Sequence, residues 1–128
     1  MEPLIIKIKE DTPAVVFFPK YKKFQIIGTS WPEMPSLFYG KIIDWLKEYF
    51  NNPLKETTFE FFFKYINTQS FKEIIKLFQL LKEEASRHKI KIIWYYEPED
   101  IDMQRFGKRL EYFIGLPMEY REKIIKSF

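Results

Sequence analysis

Thr57-Thr58-Phe59-Glu60-Phe61-Phe62-Phe63-Lys64-Tyr65-Ile66 runs directly into Asn67-Thr68-Gln69-Ser70 and then Phe71-Lys72-Glu73-Ile74-Ile75. The first ten residues are mostly aromatic or β-branched, as a central strand covered on both faces would be. Beyond the loop, Phe71, Ile74, Ile75, Phe78 and Leu81 recur at helical spacing and predict a helix over about Phe71 to Arg87. Asn67 to Ser70 is a helix-start signal, because short polar side chains accept from the free N–H groups of a first turn. Ser70 followed by Glu73 makes a capping box. Thr68 is then a spare hydroxyl at the helix mouth, where the dipole and free donors favour a phosphate. The residues by themselves leave two readings of this loop, a simple cap and a phosphorylation site.

The same strand–loop–helix grammar extends outward. Upstream, Ala14-Val15-Val16-Phe17-Phe18 and Tyr21 to Ile27 suggest a hairpin, with Gly28 ending the second strand. Leu37, Ile42, Ile43, Trp45, Leu46, Tyr49 and Phe50 mark the buried side of a helix between Ser36 and Phe50, and Asn51-Asn52-Pro53 stops it. Downstream, Ile90 to Tyr96 is another strand. Pro98 suits a helix first turn, and Glu99, Asp100 and Asp102 suit its positive end. Met103, Phe106, Leu110 and Phe113 give that helix its buried stripe, and Gly115 and Pro117 close it. Residues 1–11 read as an N-terminal extension and residues 120–128 as a basic C-terminal tail.

The order is therefore β-β-α-β-α-β-α in one domain spanning 1–128. The fold class is α/β: a small mixed, mostly parallel sheet with helices packed on it. Strands joined through helices lie parallel with right-handed crossovers. The loops Gly28 to Pro35, Asn67 to Ser70 and Glu97 to Asp100 should then emerge at one carboxyl edge, where function concentrates in open α/β sheets.

Composition narrows the function. The 128 residues carry a net charge of only +3, too mild for a dedicated nucleic-acid binder. Lys20, Lys22, Lys23, Lys108 and Arg109 read as solvated basic faces. No window has the roughly 20 apolar residues of a membrane span, and Leu4-Ile5-Ile6-Lys7 is too short for a signal peptide, so a cytoplasmic location is expected. The absence of cysteine excludes disulfides, thiolate zinc sites and cysteine nucleophiles.

Chemistry of its own is hard to assemble from what remains. Glu97, Glu99, Asp100 and Asp102 could hold magnesium or act as acid and base, but at a helix start they read as dipole compensation. His88, the one histidine, sits near a helix end between Arg87 and Lys89 and reads as a surface residue. Four glycines make no phosphate cradle. No catalytic residue, metal or cofactor is expected, and the chain is not read as an enzyme.

Tyr65-Ile66-Asn67-Thr68-Gln69-Ser70-Phe71-Lys72 resembles the signature of the SiaC family of bacterial regulatory phosphoproteins, usually Tyr-Leu/Phe-Asn-Thr-Ser-Ser and then a lysine. Gly28-Thr29-Ser30-Trp31-Pro32-Glu33 is similar to that family's Gly-x-Ser-Tyr-Pro-Glu. Asp44-Trp45-Leu46, Trp94-Tyr95-Tyr96-Glu97, Asp102-Met103 and Gly107 follow in the family's order and spacing. The resemblance spans about Thr12 to Met118. Gln69 departs from the usual serine, leaving Thr68 and Ser70 as hydroxyls, and Met34-Pro35 follow Glu33 where the family commonly has Asp or Asn.

The resemblance implies a fold like that of STAS domains, the anti-sigma-factor antagonists, and a role in partner switching. It implies phosphorylation on Thr68 by a cognate Ser/Thr kinase and dephosphorylation by a PP2C-type phosphatase. It further implies that the unmodified form activates an effector such as a diguanylate cyclase, raising cyclic di-GMP and promoting biofilm growth. Partner contacts are expected from Asn67, Gln69, Ser70, Ser30, Trp31, Glu33 and Glu97. A STAS-like adaptor that binds proteins without being phosphorylated is the other reading.

Overall fold

The computed structural model describes residues 1–124. Six strands, β1 (Leu4–Ile6), β2 (Ala14–Phe18), β3 (Lys23–Ser30), β4 (Glu56–Ile66), β5 (Lys89–Tyr96) and β6 (Glu119–Glu122), form one sheet in that order. Three helices, α1 (Pro35–Tyr49), α2 (Thr68–Glu84) and α3 (Ile101–Ile114), connect β3 through β6. The expected hairpin is present as antiparallel β2 and β3, and β3 to β6 pair in parallel. A short 3-10 turn, Pro19–Tyr21, joins the hairpin strands and ends on Lys22 in the left-handed region.

Strand order never reverses along the parallel part, so crossovers of one hand put every helix on the same face. Ring contacts trace that face. Phe24 of β3 meets Trp45 and Tyr49 of α1, Phe61 of β4 meets Phe78 of α2, and Trp94 of β5 stacks on Phe106 of α3. Thr57, Phe59, Phe61 and Phe63 are the buried alternate positions of β4. Among the described residues all three helices lie on this face of the sheet, although Phe62 on the opposite side of β4 is buried as well. That opposite side also carries Glu60, which accepts from Gln25 at 3.0 Å and from the Tyr95 hydroxyl at 2.8 Å. A sheet without a reversal also lacks the switch-point crevice that holds nucleotides in doubly wound folds.

Both chain ends differ from expectation. Residues 4–6 of the supposed extension pair with β2, Leu4 opposite Phe17 and Ile6 opposite Val15. Trp45 Nε1 ties the preceding residues down by donating to the Glu2 carbonyl at 2.9 Å. At the other end, Glu119-Tyr120-Arg121-Glu122 is strand rather than tail, with Tyr120 beside Trp94. The Tyr120 hydroxyl donates to Glu111 at 2.5 Å and the Lys108 ammonium lies 3.8 Å from its ring centre. Such a polar strand has no apolar run to announce it; long-range pairing makes it one. Residues 125–128 of the expected tail lie outside the described residues. Both edge strands are short, which limits pairing with other chains.

Candidate functional site at the carboxyl edge of the sheet

The site begins where β3 and β4 lose their regular register. Gly28 pairs with Phe63 but Thr29 pairs with Tyr65, so β4 carries one extra residue, Lys64, at a bulge. Gly28 adopts φ +136°, and a Cβ there would meet Ile8 Cδ1 at 2.9 Å and the Pro13 backbone at 3.1 Å. Only glycine accepts both the conformation and the close approach. β3 therefore does not end at Gly28, as expected, but continues through Ser30 beside Ile66.

Ser30 then organises the edge. Its carbonyl accepts from the Asn67 N–H at 3.0 Å, and its hydroxyl donates to Ser70 Oγ at 2.8 Å. The Ser30 proton is used on Ser70, so the Tyr39 phenol, 2.6 Å away, donates to Ser30. Ser30, Tyr39 and Ser70 are all fully buried. Burial pushes the Tyr39 phenol well above its ordinary range, only partly offset by the Ser30 hydroxyl. This buried chain of hydroxyls links β3, α1 and α2 directly beneath the loops.

The start of α2 differs from the sequence reading. Asn67, not Ser70, is the N-cap, its side chain accepting from the Ser70 N–H at 2.8 Å. The Ser70–Glu73 capping box does not form; Glu73 pairs with Lys76 at 3.1 Å. An earlier polar residue captured the cap because Ser70 was drawn inward to Ser30. Thr68 is consequently the first helical residue, exposed, with exposed Gln69 next to it.

The expected partner-facing residues divide accordingly. Trp31, Glu33, Thr68 and Gln69 are exposed at this edge, and Asn67 and Glu97 are half-buried there. Ser30 and Ser70 are instead fully buried, their hydroxyls bonded to each other inside the fold. Phe71 packs edge-to-face on Phe106 at 4.8 Å, in keeping with its reading as a packing residue. Leu37 and Phe113, expected in the core, are 56% and 66% exposed. The buried stripes run instead through Tyr39, Ile42, Leu46 and Tyr49 in α1 and through Met103, Gly107 and Leu110 in α3, which leaves Leu37 and Phe113 off the packed side.

Sequence reasoning also missed the relation of Thr68 to α3. Ile66, Asn67, Thr68, Phe71, Phe106 and Arg109 line one cleft of about 210 Å³. No motif links positions 68 and 109; only the packing of α2 on α3 joins them. Among the carboxylates, Asp100 caps α3 by accepting from the Met103 N–H at 3.0 Å, so the helix starts after Pro98 rather than at it. Among the described residues no cluster of three metal-ligating side chains occurs, and no helix is long and apolar enough to cross a membrane. His88 stacks on Phe50 and lies 3.7 Å from Glu84.

The fold and site define a small α/β domain, its described helices on one face of the sheet, whose distinctive surface is a loop cluster with an exposed threonine at a helix start. The model of the SiaC family regulatory phosphoproteins matches residues 6–123, and the chain belongs to that family. Membership makes it a regulatory protein rather than an enzyme. A Pseudomonas aeruginosa protein, PA14_02130, is 24% identical over 123 residues, covering 95% of this chain and 90% of the relative. The crystal structure of apo-SiaC from Pseudomonas aeruginosa superposes with a TM-score of 0.86 at 20% identity, over 94% of this chain and 99% of that one. A chain in the crystal structure of the diguanylate cyclase SiaD with its activator SiaC, from the same organism, gives the same TM-score, identity and coverage.

Proposed function

We propose that this protein is a phosphorylation-controlled activator of a diguanylate cyclase, with Thr68 as the phosphate acceptor. The observation that carries the reading is the contrast within one loop. Thr68 presents an exposed hydroxyl at the start of α2, whereas Ser70 and Ser30 have theirs buried and bonded to each other. A kinase reaching this edge meets a single accessible hydroxyl in the Asn67–Ser70 run. Family membership and the structural likeness to the SiaC that activates SiaD support the choice of effector.

Phosphorylation adds about −1.5 to −2 charges at pH 7. At a helix N-terminus that charge is tolerated, so the fold survives while the surface changes. Glu33 and Glu97 on neighbouring loops make the edge still more negative. An effector seated on the unmodified edge is then repelled, and a PP2C-type phosphatase restores binding. Control of this kind would place the protein in the cytoplasm, upstream of cyclic di-GMP and biofilm growth.

The test is intact mass after incubation with ATP, magnesium and the kinase encoded nearest to the protein, with Thr68→Ala alongside. The nearest-encoded diguanylate cyclase is then assayed for cyclic di-GMP output with each form. One phosphate on wild type, none on the variant, and activation only by unmodified protein is the expected result. No phosphate from an active kinase, with cyclase activation intact, would leave a constitutive binding module in its place.

A further inference from the structure

We propose that Arg109 is the receptor for the phosphate on Thr68, closing an intramolecular ion pair across the cleft between α2 and α3. The proposal rests on the reading of Thr68 as the acceptor, and names what the modified side chain binds. Thr68 and Arg109 line the same cleft, and Arg109 is the one charged side chain in that lining. No carboxylate competes there. Among the described residues Arg109 has no hydrogen bond or ion pair, unlike Arg87, paired with Glu84, and Arg121, paired with Glu119. Its neighbour Lys108 is occupied on the Tyr120 ring.

Size and chemistry agree. The cleft is about 210 Å³, and a water takes about 30 Å³, so a phosphate group fits with its first waters. Its other walls are Asn67 and the apolar Ile66, Phe71 and Phe106, which lower the local dielectric on one side and strengthen a charge pair. A guanidinium offers two parallel donors to phosphate oxygens, a geometry that lysine cannot reproduce.

The pairing has a consequence for the surface beside it. Arg109 and Lys108 also border an apolar groove of about 490 Å³ lined by Phe71, Ile75, Tyr112 and Phe113. Drawing the guanidinium to Thr68 removes a positive charge from the rim of that groove. Phosphorylation thereby alters the α2–α3 face as well as the loop edge.

The test uses full-length protein with phosphothreonine installed at position 68 during translation, so no kinase is needed. Phosphorus NMR then follows the second phosphate pKa at low ionic strength in wild type, Arg109→Gln, Arg109→Lys and Arg105→Gln. The expected value is about 0.5–1 unit lower in wild type than in Arg109→Gln, a threefold to tenfold change in proton affinity. Arg109→Lys should recover part of the shift and Arg105→Gln should keep all of it. Equal pKa values in wild type and Arg109→Gln would overturn the proposal, and so would an equal change with Arg105→Gln. Failure of a kinase to modify Thr68 would count against the proposed function while leaving this result intact.

Discussion

The hydroxyls of Ser30 and Ser70 lie 2.8 Å apart in the buried interior, joining the end of β3 to the first turn of α2. The Tyr39 phenol completes the chain from α1. Three elements that meet nowhere in the sequence are thus held in register directly beneath the exposed Thr68. Ser30→Ala removes the shared oxygen and leaves a buried phenol and a buried hydroxyl without that partner. A loss of about 1–3 kcal/mol is expected, read by urea unfolding. Ser70→Ala should cost less, because Ser30 keeps its bond to Tyr39. A double-mutant cycle giving strict additivity would show the two hydroxyls to be uncoupled.

Tyr39 makes stability sensitive to alkali. Its phenol is raised by burial in the folded state, while the unfolded chain ionises near pH 10. The unfolded state therefore loses a proton first, and the stabilisation present below pH 10 is lost progressively above it. Tyr120 is raised as well, by burial and by its bond to Glu111. Tyr39→Phe should flatten the fall in stability between about pH 10 and 12, though it lowers stability at pH 7 through the lost Ser30 bond. An unchanged alkaline slope in chemical denaturation at graded pH would rule out this role.

Thr68→Glu separates binding from folding. A carboxylate in the first turn of α2 is favourable to the helix dipole, so unfolding free energy should change by no more than about 0.5 kcal/mol. Affinity for the cyclase should fall by about tenfold to a thousandfold from repulsion and desolvation. Calorimetry against the cyclase with parallel thermal melts measures both. Wild-type affinity in Thr68→Glu would show that negative charge at position 68 is not the switch.

Gly107 is the seat of the Trp94 indole. A Cβ at this position would fall 2.6 Å from Nε1 and 2.7 Å from Cδ1 of Trp94. The ring is not free to move, since Nε1 donates to the Met103 carbonyl at 3.1 Å and the indole stacks on Phe106. Gly107→Ala gains about 1 kcal/mol of helix propensity, but forced repacking costs about 1–3 kcal/mol. A net loss of stability and a shift in tryptophan emission are expected. A more stable variant with an unchanged emission spectrum would mean that α3 slides to accommodate the methyl.

Element type was legible wherever the pattern was local. The aromatic and β-branched run of β4, the apolar stripe of α2, the hairpin of β2 and β3, and Gly115 after α3 follow from composition, spacing and turn chemistry within about a dozen residues. Parallel pairing of β3, β4 and β5 followed from their joining helices, and with it the gathering of their loops at one edge. The motifs around Asn67-Thr68 and Gly28-Thr29-Ser30 identified the family from the chain alone.

Pairing between distant segments decided the rest. β1 and β6 are strands because β2 and β5 offer them open edges: the apolar run of β1 is only three residues long, and β6 carries none. The cap of α2 moved from Ser70 to Asn67 because Ser30, forty residues away, claims the Ser70 hydroxyl. Leu37 and Phe113 stay exposed because the packed side of each helix is rotated away from them, onto Tyr39, Ile42 and Leu46 in α1 and Met103, Gly107 and Leu110 in α3. Arg109 faces the Thr68 cleft through the packing of α2 on α3, a relation no local period encodes. Sequence by itself determined the elements and their order, because those follow from local backbone and side-chain preferences. Only the tertiary structure decided which hydroxyl is exposed and which charge stands beside it, because burial and proximity are properties of the packed chain.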